Sequence, residues 1–247
     1  MEGRSILKIL AIESSNQTMS VATVENGLVV SEYTRNGNLQ HSTQLMPAVE
    51  TVINASKWQP SDIDQVVISK GPGSYTGVRI GATIAKTLAW TLDKPLIPVS
   101  SLKLIASNSL SFEGLIVPLI DARRKNVYAG VYRVENEQLV QTEADIHSES
   151  EGFFQTLVNG NEPLLFIGQD IPLYEERIRE LFGSRAHFAP QQDWLPRAGN
   201  LAFLAETEEP VDAHIFTPEY LKKSEAEENW QKAHAGEEKG DYVERID

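Results

Sequence analysis

The stretch with the most chemical potential is Ser69-Lys70-Gly71-Pro72-Gly73-Ser74-Tyr75-Thr76-Gly77-Val78-Arg79-Ile80-Gly81. It follows a short apolar run and opens an amphipathic one. It therefore reads as a strand, a glycine turn and a helix N-terminus, where backbone N–H groups and the helix dipole favour an anion. It is not a Walker loop, because no Lys-Ser/Thr pair follows the glycines at the required place. It is not a dinucleotide fingerprint either, because three residues separate Gly73 from Gly77 where that motif has two. The same residues also suit a plain tight turn into a helix. Two further turns invite the same question. Glu13-Ser14-Ser15-Asn16 follows the first apolar run, and Asp121-Ala122-Arg123-Arg124 follows a later one. Asp121 with the two arginines could bind a small anion or form a solvated, ion-paired turn.

Metal and nucleophile chemistry find little support. There are no cysteines, which removes disulfides, thiolate ligands and cysteine nucleophiles and fits a reducing compartment. The five histidines are His41, His147, His187, His214 and His234, and no two are three or four apart. A helical His pair with zinc-site spacing is therefore absent, and with it a zinc-peptidase motif. His41, next to Ser42 at a predicted helix start, reads as a capping or interface residue.

The elements that must position these turns follow from periodicity. Apolar runs predict strands over 6–13, 19–25, 28–34, 65–69 and 96–99, with helices from near 42, over 77–92 and through 102–106. Asn26-Gly27 suits a type I′ hairpin. Pro47 predicts that the first helix is kinked or begins late. The second half predicts strands over 115–120, 126–134, 138–142, 164–167 and 186–188, and helices over 149–158, 173–182 and 198–206. Both halves read β-β-β-α-β-α-β-α, so the expected class is α/β. That order is the duplicated two-lobed plan of the actin/Hsp70/sugar-kinase (ASKHA) superfamily.

Several segments occur together in order: Ile9-Leu10-Ala11-Ile12-Glu13-Ser14-Ser15, His41-Ser42-Thr43-Gln44-Leu45-Met46-Pro47, the glycine stretch (Gly71, Pro72, Gly73, Ser74, Tyr75, Thr76, Gly77, Arg79, Gly81), Ile120-Asp121-Ala122-Arg123-Arg124 and Pro218-Glu219-Tyr220-Leu221. With them the chain resembles the TsaB family, YeaZ-like dimerisation subunits once described as glycoproteases. The resemblance spans residues 6–224. It implies a cytoplasmic, non-catalytic scaffold that pairs with TsaD, is joined by the ATPase TsaE with ATP, and serves N6-threonylcarbamoylation of adenosine 37 in tRNA. It further implies no cofactor or metal of its own, contact with tRNA only through the complex, a possible homodimer in isolation and no membrane. The alternative is a weak ATPase or phosphotransferase using the nucleotide cleft of the superfamily. The turns argue for a pseudo-enzyme: Asp121 is followed by Ala122 where a phosphate turn has Asp-x-Gly, and Gly168 stands alone where the adenosine turn has paired glycines.

The resemblance also implies that the partner is met by two N-terminal helices. The candidate contacts are Leu45, Met46, Val49, Val52 and Ile53 of the first, and Ile80, Ile84 and Leu88 of the second. Gly77, Gly81 and Ala85 would pack on the chain's own lobe. Periodicity alone leaves open which aliphatic side faces out. The expected domains are 1–106 as the first lobe, 107–223 as the second, with a last helix able to pack back on the first, and 224–247 as an acidic, flexible tail. Charge is uneven across them. Residues 1–110 carry 8 acidic and 9 basic side chains, residues 111–223 carry 19 and 10, and the tail carries 8 and 3. With a net charge of −13 and a pI near 4.9, the whole surface is unsuited to gripping nucleic acid. A partner could dock on the near-neutral first lobe without like-charge repulsion. The tail is expected to be dispensable for folding, with Trp230 and Tyr242 the residues that argue otherwise.

Overall fold

The structure is a computed structural model that describes residues 6–37 and 40–222. The expectations about the tail, Trp230 and Tyr242 included, lie outside the described residues. Two five-stranded sheets form the frame. The first half runs β1 (Lys8–Glu13), β2 (Met19–Glu25), β3 (Leu28–Arg35), α1 (His41–Ala55), β4 (Gln65–Ser69), α2 (Tyr75–Leu92), β5 (Leu96–Val99) and α3 (Ser101–Ala106). The second runs β6 (Leu115–Arg123), β7 (Asn126–Glu135), β8 (Gln138–Glu149), α4 (Ser150–Val158), β9 (Leu164–Ile167), α5 (Glu175–Phe182), β10 (Ala186–Phe188) and α6 (Ala198–Leu204).

The sheet orders are β3-β2-β1-β4-β5 and β10-β9-β6-β7-β8, the same arrangement twice. In each, the first three strands are antiparallel and the later two join in parallel. This is the duplicated α/β plan expected from element order. The Asn26-Gly27 turn has φ of 49° and 79°, the left-handed pair a type I′ hairpin needs, and it closes β2 on β3 at Glu25 and Leu28.

Both faces of the central strands are covered, which is why they read as continuous apolar runs. In β1, Leu10 and Ile12 face a core shared with Leu45, Val49 and Val52 of α1 and with Ala82, Ala85 and Ala89 of α2. Ile9 and Ala11 face the opposite way, into a core shared with α3, α6, Ile116 and Ile120 of β6, and Tyr132 of β7. A third core lies between the second sheet and α4–α5, around Phe154, Phe166 and Phe182. The middle core joins the halves.

The first helix begins at His41, close to the expected start near 42, and carries Pro47 inside it, so of the two outcomes expected of Pro47 the late start is not the one adopted. The missing Pro47 N–H is tolerated on an exposed face, and the Pro47 carbonyl still accepts from Thr51 Oγ1 at 2.8 Å.

The last helix crosses between halves. The buried N–H of Ala198 donates to Ser20 Oγ of β2 at 2.9 Å, and Gly199 N donates to Glu32 Oε1 of β3 at 2.8 Å. Removing the Ser20 hydroxyl leaves a buried N–H unpaired, at a cost of about 1–3 kcal/mol. The variant Ser20→Ala is expected to melt lower by about 2–4 °C for each kcal/mol lost. A differential scanning experiment with an unchanged melting temperature would mean that α6 is not held through this bond.

Candidate functional site

The glycine stretch enters α2 against the β1–β2 turn. Gly77 and Gly81 lie one helical turn apart on α2, Gly73 precedes the cap residue Ser74, and together they leave one side without side chains. The β1–β2 turn fills that side. A methyl group built on Gly73 would overlap the Ser15 carbonyl oxygen, one on Gly77 the Ser14 carbonyl oxygen, and one on Gly81 the Ser14 hydroxyl. Hydrogen bonds lock the approach: Ser74 N donates to Ser15 O at 2.6 Å, and Ser14 Oγ donates to Gly77 O at 2.9 Å. Ser74 then caps the helix by accepting from Gly77 N at 3.3 Å. The small-residue side of α2 thus packs on its own lobe.

Glu13 sits beneath this turn with no exposure, so the carboxylate does not reach the surface. Its Oε1 accepts from Ser15 N and Ser15 Oγ, both at 2.7 Å. Its Oε2 is buried beside Ser69 without a formed hydrogen bond. Burial pushes the carboxyl above its usual range, and the serine contacts only partly oppose that.

Between the two sheets opens a cleft of about 1610 Å³. One wall carries Asn16, Gln17, His41 and residues 72–78; the other carries residues 119–124, Gln169 and Asp170. Gln169 Nε2 reaches Thr18 Oγ1 at 2.5 Å, joining the walls. His41 is the first residue of α1 and lines the cleft, while Gln40 occupies the cap position, so the capping role is corrected. Asp121 does not pair with the neighbouring guanidinium groups. Its Oδ1 accepts from Tyr174 Oη at 2.8 Å and from Arg123 N at 3.2 Å, while its own N–H donates to Asp170 at 2.8 Å. Burial raises Asp170, and burial plus the Asp121 contact raises Tyr174. Among the described residues no group of three or more His, Asp or Glu side chains could hold a metal.

Does an adenine nucleotide, the ligand that the fold plan implies, fit this cleft? Glycines 71, 73, 77 and 168, in and beside the cleft, each have one side filled by the chain's own backbone. Glycines 73 and 77 face Ser15 and Ser14, Gly71 lies against the Glu219 carbonyl, and Gly168 lies against the Leu119 carbonyl. The second phosphate turn carries Ala122 and three long cations in place of glycine. The residues do not fit a nucleotide held by paired backbone turns.

The proposed partner contacts divide. Leu45, Val49, Val52 and Ile53 are buried in the core between α1 and the first sheet, and so are not available to a partner. The sheet takes the strongest apolar stripe of α1, which periodicity could not assign. Met46 is 46% exposed, while Ile80, Ile84 and Leu88 are half-buried at the edge of the same core.

Two features escaped the sequence. The segment 211–222 follows α2 back towards the cleft: Val211 bridges Leu96, Lys86 Nζ donates to Phe216 O at 2.6 Å, and Lys70 pairs with Glu219 at 3.0 Å. Tyr220 packs on Tyr75 at 5.1 Å between ring centroids. The motif at 218–221 was visible, but its pairing with Gly71 was not, because 148 positions of chain separate Gly71 from Glu219. The second feature is a polar node between the halves. Asp145 of β8 accepts from Ser100, which caps α3, from Tyr132 Oη at 2.5 Å and from Gln141 Nε2 at 2.9 Å. Burial pushes Asp145 upward. Nothing in the spacing of these residues announces the cluster.

Comparison with known proteins adds three findings. The family described as TsaD, tRNA N6-adenosine threonylcarbamoyltransferase, matches residues 9–230. The chain is 41% identical over 224 residues to the tRNA threonylcarbamoyladenosine biosynthesis protein TsaB of Bacillus subtilis, covering 91% of this chain and 98% of that one. Among solved structures, YeaZ from Pseudomonas aeruginosa superposes with a TM-score of 0.74 at 25% identity, over 87% of this chain and all of that one.

Two substitutions probe the turn. On a free helix face Gly77→Ala would stabilise by up to about 1 kcal/mol. Against the Ser14 carbonyl it should instead cost about 1–3 kcal/mol, read as a lower urea midpoint. Stabilisation would show that the turn yields. Glu13→Gln keeps an acceptor for Ser15 and removes the buried charge. Because the Glu13 carboxyl is raised in the fold, its contribution is most favourable below the unfolded value of about 4.3 and is lost as pH rises through the folded value. The stability gained by Glu13→Gln should therefore grow from pH 4 to pH 8, and a pH-independent difference would contradict the burial argument.

Proposed function

The chain belongs to the TsaB family of tRNA threonylcarbamoyladenosine biosynthesis proteins, and we propose that it is a non-catalytic scaffold that pairs with TsaD and activates it. TsaE, with ATP, joins this pair in the reading. The observation that carries the non-catalytic part is the self-occupied glycine set: backbone that would cradle phosphate is packed on Ser14, Ser15, Glu219 and Leu119. An alternative ATPase in the same cleft gains no support from turns so filled. Among the described residues no helix is long and apolar enough to cross a membrane, and the absence of cysteine fits a cytoplasmic site of action.

We place the partner surface on the outer side of α1 and α2, with Met46 central and Ile80, Ile84 and Leu88 at the seam. The buried residues of α1 act indirectly, by fixing the helix on the sheet. The reading treats 1–106 and 107–223 as the two lobes, although α6 lies against β1 and β2 of the first. Alone, the chain could pair with itself through the same surface.

The experiment is co-expression with TsaD followed by size exclusion. Ile84 packs against the core, so a charge there risks unfolding; exposed Met46 is the cleaner probe. Met46→Glu should leave the circular dichroism spectrum unchanged and weaken the complex by roughly tenfold or more, since burying an unpaired charge is costly. A fully retained complex places the interface elsewhere. Purified chain that binds ATP at micromolar concentration would overturn the non-catalytic reading.

A further inference from the structure

The turn between β6 and β7 is conformationally expensive. Arg123, Arg124 and Lys125 have φ of 65°, 54° and 63°, three consecutive non-glycine residues in the left-handed region. For L-residues this costs roughly 1–2 kcal/mol each, and glycine or asparagine would lower the cost. The turn carries long cations at all three positions instead. Strain of this kind persists where surrounding structure enforces it and often marks a functional surface.

The turn is held firmly. Asn126 Nδ2 donates to the carbonyls of Arg123 and Arg124 at 3.3 and 3.0 Å, Ser150 N donates to Lys125 O at 2.8 Å, and Asp121 accepts from Arg123 N. All three cationic side chains are exposed. Among the described residues, Arg123 and Lys125 have no carboxylate partner. Lys222 Nζ lies beside them, 3.5 Å from Ala122 O. Among the described residues, the acids beside the turn include Asp121 and Asp170, engaged by Tyr174 and by backbone N–H groups, and Glu149, which stands opposite Asn126 across the β7–β8 ladder.

We propose that this turn is a contact for the phosphate backbone of RNA. The inference rests on the reading of the chain as a subunit of a tRNA-modifying complex and names the part of its surface that would touch the nucleic acid. Successive residues of a left-handed run point roughly 100° apart, as in any helix with about 3.6 residues per turn. Arg123 and Lys125 therefore leave the backbone in different directions, an arrangement that suits successive phosphates of a chain better than one phosphate. This favours RNA over a free nucleotide. The net charge of −13 does not forbid it, because screening within about 8 Å at physiological salt makes the local charge decisive. Residues 111–223 carry 19 acidic side chains against 10 basic ones, so a run of three cations is the exception in that half.

The test uses the full chain assembled with TsaD and an unmodified tRNA transcript, with binding followed by fluorescence anisotropy from 50 to 300 mM KCl. Asparagine tolerates the left-handed region, so Arg123→Asn with Lys125→Asn should preserve the turn. A control with the same charge change is Arg177→Gln with Arg179→Gln on α5. The turn variant should lower tRNA affinity on the order of tenfold at 0.1 M salt and flatten the log–log salt slope by about 1.4–1.8, at 0.7–0.9 per lost phosphate contact. The control should change neither, and both complexes should elute as the parent does. Unchanged affinity and slope in the turn variant, while the parent complex binds tRNA, overturns the contact. Lost ATP binding with tRNA binding intact would assign the turn to a nucleotide and also overturn it. A parent chain that fails to assemble with TsaD or to support tRNA modification would instead bring down the functional reading on which the proposal rests.

Discussion

The structure depends on one close approach, the seating of α2 on the β1–β2 turn. Carbonyl oxygens of Ser14 and Ser15 occupy the space where side chains at 73 and 77 would lie. With α2 seated there, Ala82, Ala85 and Ala89 meet the sheet, and α1 can lie beside it over Leu10 and Ile12. The outer flank of α2 then receives the returning segment 211–220 through Lys86 and Tyr75. Glu13 is sealed beneath, which is why a carboxylate at a surface-forming turn is wholly buried. A side chain at Gly77 would disturb all of these contacts, because the obstacle is backbone and cannot rotate away.

That same contact decides the character of the cleft. Backbone cannot both approach a phosphate and fill its own packing gap. In this chain the gap takes precedence on the first wall, at glycines 73 and 77, and on the second, where Gly168 is held against Leu119. The walls are also tied to each other by Gln169 and Thr18, by the shared core around Tyr132, and by the Ser100–Asp145–Tyr132 node. The cleft is thus bounded by walls that share hydrogen bonds and a core.

Much of this plan was legible because it is periodic. Strands covered on both faces gave unbroken apolar runs, and the Asn26-Gly27 pair gave its hairpin. The second half, although weaker in pattern, folded in the order its runs suggested. What periodicity cannot carry is direction. The stripe Leu45, Val49 and Val52 was visible as apolar, yet nothing local says whether a sheet or a partner covers it; the sheet does. Pro47 left two outcomes open for a similar reason, since its cost depends on whether the carbonyl it abandons faces water. The polar node and the pairing of Glu219 with Lys70 were illegible altogether, being contacts between elements far apart in sequence that no spacing rule links.

The uneven charge then acquires a structural meaning. The acidic second half keeps a large surface hostile to polyanions, and this makes any contact with nucleic acid a matter of local geometry. At the β6–β7 turn that geometry is a left-handed run of three exposed cationic residues beside Asp121 and Asp170, whose carboxyl groups are hydrogen-bonded to Tyr174 and to backbone N–H groups. On a uniformly basic protein such a turn would add little, because attraction would be everywhere. On this one, the energy of contact falls steeply within a Debye length of the turn, so an RNA held by a partner subunit would be drawn in one orientation and repelled in most others. With RNA at the turn as proposed, acidity over the rest of the lobe would contribute to positioning, suppressing the wrong encounters as the turn supports the right one.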